Sequence, residues 1–203
     1  MTENSSSQIF NVPNTLSTFR LLFSVGVFAC IARGDFMAAF ILFLVTALTD
    51  KLDGWWARKY NQVTQLGRML DPFADKILIC GTFIMLAAVP EMPKELWAIQ
   101  SWMAVLIMGR EMLVTAIRGF IEQRGGNFSA NWSGKLKMVF QCVAAAAGIL
   151  YLVYVTGETK TVPGWLSWTL TISVWVTILS TIQSGLEYIF KAISMIKQMP
   201  EKN

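Results

Sequence analysis

The sequence predicts an all-α integral membrane protein, a bundle of six transmembrane helices with a polar cavity on the cytoplasmic side. Three observations predict it. Hydrophobic residues make up 54% of the 203 and charged ones 15%, with a mean hydropathy of +0.49, outside the balance of an ordinary soluble domain. The apolar residues come in long blocks rather than in alternation, as in a polytopic chain. The charged residues gather at the ends of those blocks, and mostly on one side. A net charge of +4 does not imply a nucleic-acid partner, because the basic residues are sorted by loop and form no patch. The chain reads as a single domain over 1–203, with no internal repeat and no low-complexity tract.

Each element has its own signals. Residues 1–10 are polar and expected as a disordered tail, without the basic n-region or cleavage-like site of a signal peptide. Pro13 suits a chain bend, and Asn14 or Ser17 suits the cap of the helix that follows. The first span runs over Leu21 to Ala32 and closes at Arg33-Gly34-Asp35. The second, Phe36 to Leu48, runs straight into Asp50. The third, Ile77 to Val89, ends at the turn between Pro90 and Pro93. The fourth, Leu96 to Met108, continues through Arg110-Glu111 to Arg118. A polar stretch, GGNFSANWSGKLK, precedes the fifth, Met138 to Val155, and a turn over Gly157 to Gly164 leads to the sixth, Trp165 to Gly185. Cys30, Cys80 and Cys142 lie inside apolar blocks at unrelated spacing, as small core residues rather than a metal or disulfide framework. Trp55, Trp56, Trp97 and Trp132 fall near predicted interfaces, as belt residues do.

Crossing about 30 Å of hydrocarbon takes roughly 20 residues. The apolar runs of the second, third and fourth spans have about thirteen, or roughly 20 Å. What they lack is supplied on one side by Asp, Arg, Glu and Lys. Charges at depth cost about 2.5–3.5 kcal/mol each on insertion scales and are tolerated where they face a filled cavity. Of the 17 basic residues, only Arg33, Lys94 and Lys160 fall on the opposite side. The positive-inside rule therefore puts both termini and the charged cavity in the cytoplasm.

The cavity has an acidic and a basic half. Asp50, Asp53, Gly54 and Ala57 share one helical face; Gly67, Asp71 and Asp75, four apart, share another. Taken singly, each Asp reads as a solvated helix end. Taken together, on two stripes joined by a short connection, they can bring four carboxylates to one place. Their repulsion calls for divalent cations or shifted protonation. Carboxylates in a chain without His suit hard cations, Mg²⁺, Mn²⁺ or Ca²⁺ rather than Zn²⁺. Two such ions side by side form a clamp for phosphoryl chemistry, and Gly54 and Gly67 leave room for a phosphate ligand. The basic half holds Arg110, Arg118, Lys135 and Lys137, with Glu111 and Gln141 near. Snorkelling at a membrane surface accounts for any one of these cations; as a set they suggest a second, anionic substrate held by side chains.

The run D-x-x-D-G-x-x-A-R, eight residues, then G-x-x-x-D-x-x-x-D, from Asp50 to Asp75, resembles the signature of the CDP-alcohol phosphotransferase family. Six transmembrane helices with this motif across the second and third are what the resemblance implies for the fold. For the site it implies two Mg²⁺ or Mn²⁺ ions on Asp50, Asp53, Asp71 and Asp75. CDP-diacylglycerol would lie over Asn14, Asp50, Asp53, Gly54, Ala57, Arg58, Gly67 and Asp71, and Asp75 would also be the general base. Asn14 in VPNTLS, Arg20, LGRMLDPFADK, Arg110-Glu111 with Arg118, and GKLKMVFQ are similar to the bacterial branch whose acceptor is sn-glycerol 3-phosphate. That likeness spans 11 to about 145, with Met138 standing where a small or hydroxyl residue is expected. It implies that Arg110, Arg118, Lys135 and Lys137 hold the acceptor's phosphate, and that the products are phosphatidylglycerophosphate and CMP. It further implies a homodimer in the bacterial cytoplasmic (inner) membrane. Phosphatidylglycerol, inositol phosphate or serine as acceptor stay open within the family. A divalent-cation transporter is the reading from another class; it predicts midplane carboxylates in broken, repeated helices, which this chain lacks.

Overall fold

The computed structural model describes the backbone over 12–59, 65–123, 132–158 and 160–198, and side chains over 18–49, 76–121, 136–158 and 160–195. It holds six helices: α1 (Val12–Arg33), α2 (Phe36–Lys59), α3 (Gln65–Ala88), α4 (Ser101–Gln123), α5 (Trp132–Thr156) and α6 (Gly164–Gln198). The all-α expectation holds. The acidic stripe of Asp50 to Ala57 continues the second helix, as its spacing predicts, because α2 runs unbroken to Lys59. The expected tail over 1–10 lies outside the described residues.

Contacts between helices follow a ring. α1 packs on α2 and α3, α3 on α4, α4 on α6, α6 on α5, and α5 on α2, with α3 and α5 also touching across the ring. Consecutive α2 and α3 do not pack directly on one another among the described residues; both lean on α1 and α5. The core of this ring includes Val27, Phe43, Phe83, Leu86, Ile107, Leu152 and Leu170, all but excluded from solvent. Cys80 is part of it, and Cys30 and Cys142 pack against it, as expected of small core residues. α1 crosses α3 closely at Gly81, where a Cβ would run into the Phe28 ring. A residue without a side chain is what lets these helices approach so closely.

The outward faces are apolar. Leu22, Ile41, Leu48, Val105, Ile172 and Leu179 are all more than half exposed, far beyond the apolar patches of a water-soluble monomer. Leu136–Thr156 and Gly164–Met195 are long and apolar enough to cross a membrane, and Phe36–Thr49 and Lys76–Ala88 are shorter apolar stretches.

Local chemistry sets the turns, and twice moves a boundary from where hydropathy puts it. α1 ends in a left-handed cap at Gly34, φ +81°. The Asp35 amide donates to the Cys30 carbonyl (2.9 Å) and the Gly34 amide to Ile31 (3.1 Å), the paired bonds of a Schellman motif. α4 begins at Ser101 rather than Leu96. The Gln100 side-chain amide donates to the carbonyls of Pro93 (3.0 Å) and Glu95 (2.8 Å), which holds 93–100 as a compact loop. Trp97 packs edge-on against Tyr151, centroids 5.7 Å apart, instead of standing in an outer belt. α6 runs to Gln198 rather than stopping near Gly185, because Tyr188 and Ala192 continue its buried face against Val114 and Ile121 of α4. At the other end of the chain, α1 starts at Val12, so Asn14 lies within its first turn instead of capping it.

Candidate active site at the charged end of the bundle

The acidic half of the site is carried by backbone that the structure describes as helix. Asp50, Asp53, Gly54, Ala57 and Arg58 lie on the last turns of α2, and Gly67, Asp71 and Asp75 on the first turns of α3. The i, i+3, i+4 relations that put each set on one face therefore hold. The side chains of all these residues lie outside the described residues, as do those of Asn14 and Lys135.

The side chains of three of the basic residues are described, and the fold brings them together from two helices, against a third. Arg110 and Arg118 stand two turns apart on α4, and Lys137 stands near the start of α5. Lys137 is 2% exposed and its ammonium forms an ion pair with the Glu111 carboxylate. This pair spans α4 and α5, whose backbones do not pack on one another among the described residues. The same carboxylate oxygen accepts from Arg110 Nη1 at 3.3 Å. Arg110 Nη2 donates to Ser184 Oγ of α6, and its guanidinium lies 5.3 Å from the centre of the Tyr188 ring. Arg118 Nη2 donates to the Tyr188 hydroxyl at 3.3 Å. One turn after Lys137, Gln141 is 3% exposed with its Nε2 unpartnered among the described residues.

One contact fixes the level of the acidic half against the basic one. Lys76, the residue after Asp75, donates its ammonium to Thr115 Oγ1, between Arg110 and Arg118 on α4. Thr115 in turn donates to the Glu111 carbonyl at 2.7 Å. The start of α3, where Asp75 sits, thus abuts the α4 segment that carries both arginines. Cations dominate the described part of the site: Arg110 and Lys137 meet at the Glu111 carboxylate, Lys76 stands at Thr115 and Arg118 at Tyr188.

On the other flank, an open groove of about 220 Å³ lies between α1 and α2, lined by Phe19, Arg20, Phe23, Thr46 and Thr49. Its walls are almost wholly apolar, with the buried Arg20 at its base and Thr49 one residue before Asp50.

Sequence reading alone does not find Lys76, Thr115, Ser184 or Tyr188 as members of this site. A signal for the last two exists: Thr177, Thr181, Ser184 and Tyr188, three or four apart, put hydroxyls along one buried face of an otherwise apolar helix.

A family model described as CDP-alcohol phosphatidyltransferase matches residues 10–182. The chain belongs to the CDP-alcohol phosphatidyltransferase family. Among its curated relatives, a CDP-diacylglycerol–glycerol-3-phosphate 3-phosphatidyltransferase of Bacillus subtilis (strain 168) is 30% identical over 205 aligned positions, 93% of this chain and 98% of that protein. The protein of the same name from Escherichia coli (strain K12) is 35% identical over 142, 68% of this chain and 75% of the other. The phosphatidyltransferase family match takes in α1 to α5 and the first half of α6, and so contains both charged halves of the site. It stops at 182, short of Ser184 and Tyr188, the two α6 residues against which the arginines are set. Four Asp carboxylates, carried on helical backbone, are a donor set of the chemistry that hard divalent cations take.

Proposed function

We propose that this phosphatidyltransferase moves a phosphatidyl group from CDP-diacylglycerol to sn-glycerol 3-phosphate, giving phosphatidylglycerophosphate and CMP. The observation that carries the reading is the Lys76–Thr115 contact, which sets the start of α3, where Asp71 and Asp75 lie, against an arginine-bearing segment of α4. Two anionic substrates meeting at one point need that juxtaposition. The relatives' shared name supports the same pair of substrates.

In this reading the donor's apolar chains enter from the bilayer along the α1–α2 groove, and its pyrophosphate lies over the ends of α2 and α3. Asp50, Asp53, Asp71 and Asp75 would hold two Mg²⁺ or Mn²⁺ ions, whose chemistry is to offset the pyrophosphate charge and the charge of departing CMP. Asn14, Gly54, Ala57, Arg58 and Gly67 border the cytidine diphosphate. Asp75 takes the proton from the acceptor's 1-hydroxyl as that oxygen attacks the β-phosphorus. Arg118 and Lys135 contact the acceptor's phosphate, with Arg110 and Lys137 behind them, already engaged with Glu111. All six helices cross the bacterial cytoplasmic membrane, with both termini and the site in the cytoplasm, and the chain works as a homodimer.

The test is CMP release from CDP-diacylglycerol by purified protein in detergent with Mg²⁺, supplying glycerol 3-phosphate, inositol phosphate, phosphatidylglycerol or serine separately. Turnover with glycerol 3-phosphate alone is expected. Turnover with another acceptor alone would keep the donor site and overturn the acceptor.

A further inference from the structure

Both arginines of the basic half reach α6, and they reach it at the same residue. The Tyr188 ring lies under the Arg110 guanidinium at 5.3 Å, and its hydroxyl accepts from Arg118 Nη2 at 3.3 Å. One turn earlier, Ser184 accepts from Arg110 Nη2. Between them, Gly185 lies beside the Arg110 stem, where a Cβ would meet Arg110 Cγ at 3.4 Å, in van der Waals contact. Ser184, Gly185 and Tyr188 thus form a saddle for one arginine and a stop for the other.

The surroundings argue that the hydroxyl is there for this purpose. Tyr188 is 4% exposed in a seam otherwise made by Val114, Ile121 and Ala192. An oxygen in such a seam costs desolvation that a phenylalanine would avoid, unless a partner repays it; the partner is Arg118. A guanidinium two turns from its neighbour on one helix has many rotamers, and fixing it beforehand removes an ordering cost from ligand binding.

We infer that Tyr188, backed by Ser184 and Gly185, is a positioning residue that sets the spacing of Arg110 and Arg118 and thereby the affinity for a phosphomonoester acceptor. The inference rests on the acceptor reading above. It assigns acceptor affinity in part to α6, a helix with no part in the acidic signature.

The test is two-substrate steady-state kinetics of the full chain in detergent with Mg²⁺, on wild type, Tyr188→Phe and Tyr188→Leu. Phenylalanine keeps the ring and deletes the bond to Arg118, so the KM for glycerol 3-phosphate should rise about 10-fold. Leucine also removes the ring under Arg110, so the rise should reach about 30-fold. In both, kcat and the KM for CDP-diacylglycerol should stay within about twofold, which general damage to the bundle would not permit. Ser184→Ala, conservative in volume, should raise the acceptor KM in the same selective way. Active wild type with an unmoved acceptor KM in the Tyr188 variants, or with kcat and both KM values shifted together, would overturn the inference alone. A wild type that does not use glycerol 3-phosphate would end the acceptor reading and the inference with it.

Discussion

The two halves of the charged end are built on opposite principles. The acidic half is local in sequence: its four carboxylates lie within the last turns of one helix and the first turns of the next. In the proposed reading, divalent cations from solution offset its charge. The basic half is assembled from α4, α5 and α6, and its cations are held by partners within the fold. Glu111 pairs with Lys137 and Arg110, Ser184 accepts from Arg110, and Tyr188 accepts from Arg118. A donor held through metals needs a dense, flexible set of hard ligands. An acceptor held through side chains needs cations fixed in advance, and fixing them takes a fold.

The largest effect that would sharpen this contrast is expected at the acidic half. Asp75→Asn should lower kcat by about 10³-fold, within the range for removal of a general base, while circular dichroism keeps its helix content. Retention of more than a tenth of the activity would remove Asp75 from the chemistry. Next comes Glu111→Gln, which strands the buried Lys137 ammonium. Breaking such a pair should destabilise the fold by about 3 kcal/mol, read as a loss of thermal resistance in detergent; an unchanged transition would mean the pair contributes nothing. Arg118→Ala should raise the acceptor KM by about 10–100-fold, the worth of a hydrogen bond to a charged group, and leave the donor KM alone. The smallest effect has the opposite sign. In EDTA, Asp53→Asn should stabilise the protein by on the order of 0.5 kcal/mol, since like charges on one helix face repel. Asp53→Asn and Glu111→Gln moving stability the same way in EDTA would break the comparison.

The same contrast explains what the sequence reveals and what it hides. The acidic stripes are legible because they repeat at helical spacing within 26 residues, and α2 and α3 are continuous helix across them. Arg110, Arg118 and Lys137 are legible as candidates from their position beside apolar runs, and the fold does bring them together. Their partners are not. Ser184 and Tyr188 lie some seventy residues away from the arginines they hold, inside what hydropathy reads as featureless apolar helix. The end of α6 is hidden for a related reason. The apolar run ends near Gly185, yet the buried face of the helix goes on through Tyr188 and Ala192. The start of α4 is hidden because the Gln100 side chain, rather than any Pro or Gly, holds the loop before it.

The central claim is that one half takes the donor and the other the acceptor. It is tested most directly by ligand-induced thermal stabilisation of wild type, Asp71→Asn and Arg118→Ala in detergent with Mg²⁺, adding CDP-diacylglycerol or glycerol 3-phosphate alone. A ligand at 100 times its Kd stabilises a one-site protein by about 2.7 kcal/mol, a readable shift. The account predicts a double dissociation: Asp71→Asn loses the response to CDP-diacylglycerol and keeps that to glycerol 3-phosphate, and Arg118→Ala does the reverse. Loss of both responses in either variant, or an undiminished glycerol 3-phosphate response in Arg118→Ala, would contradict it.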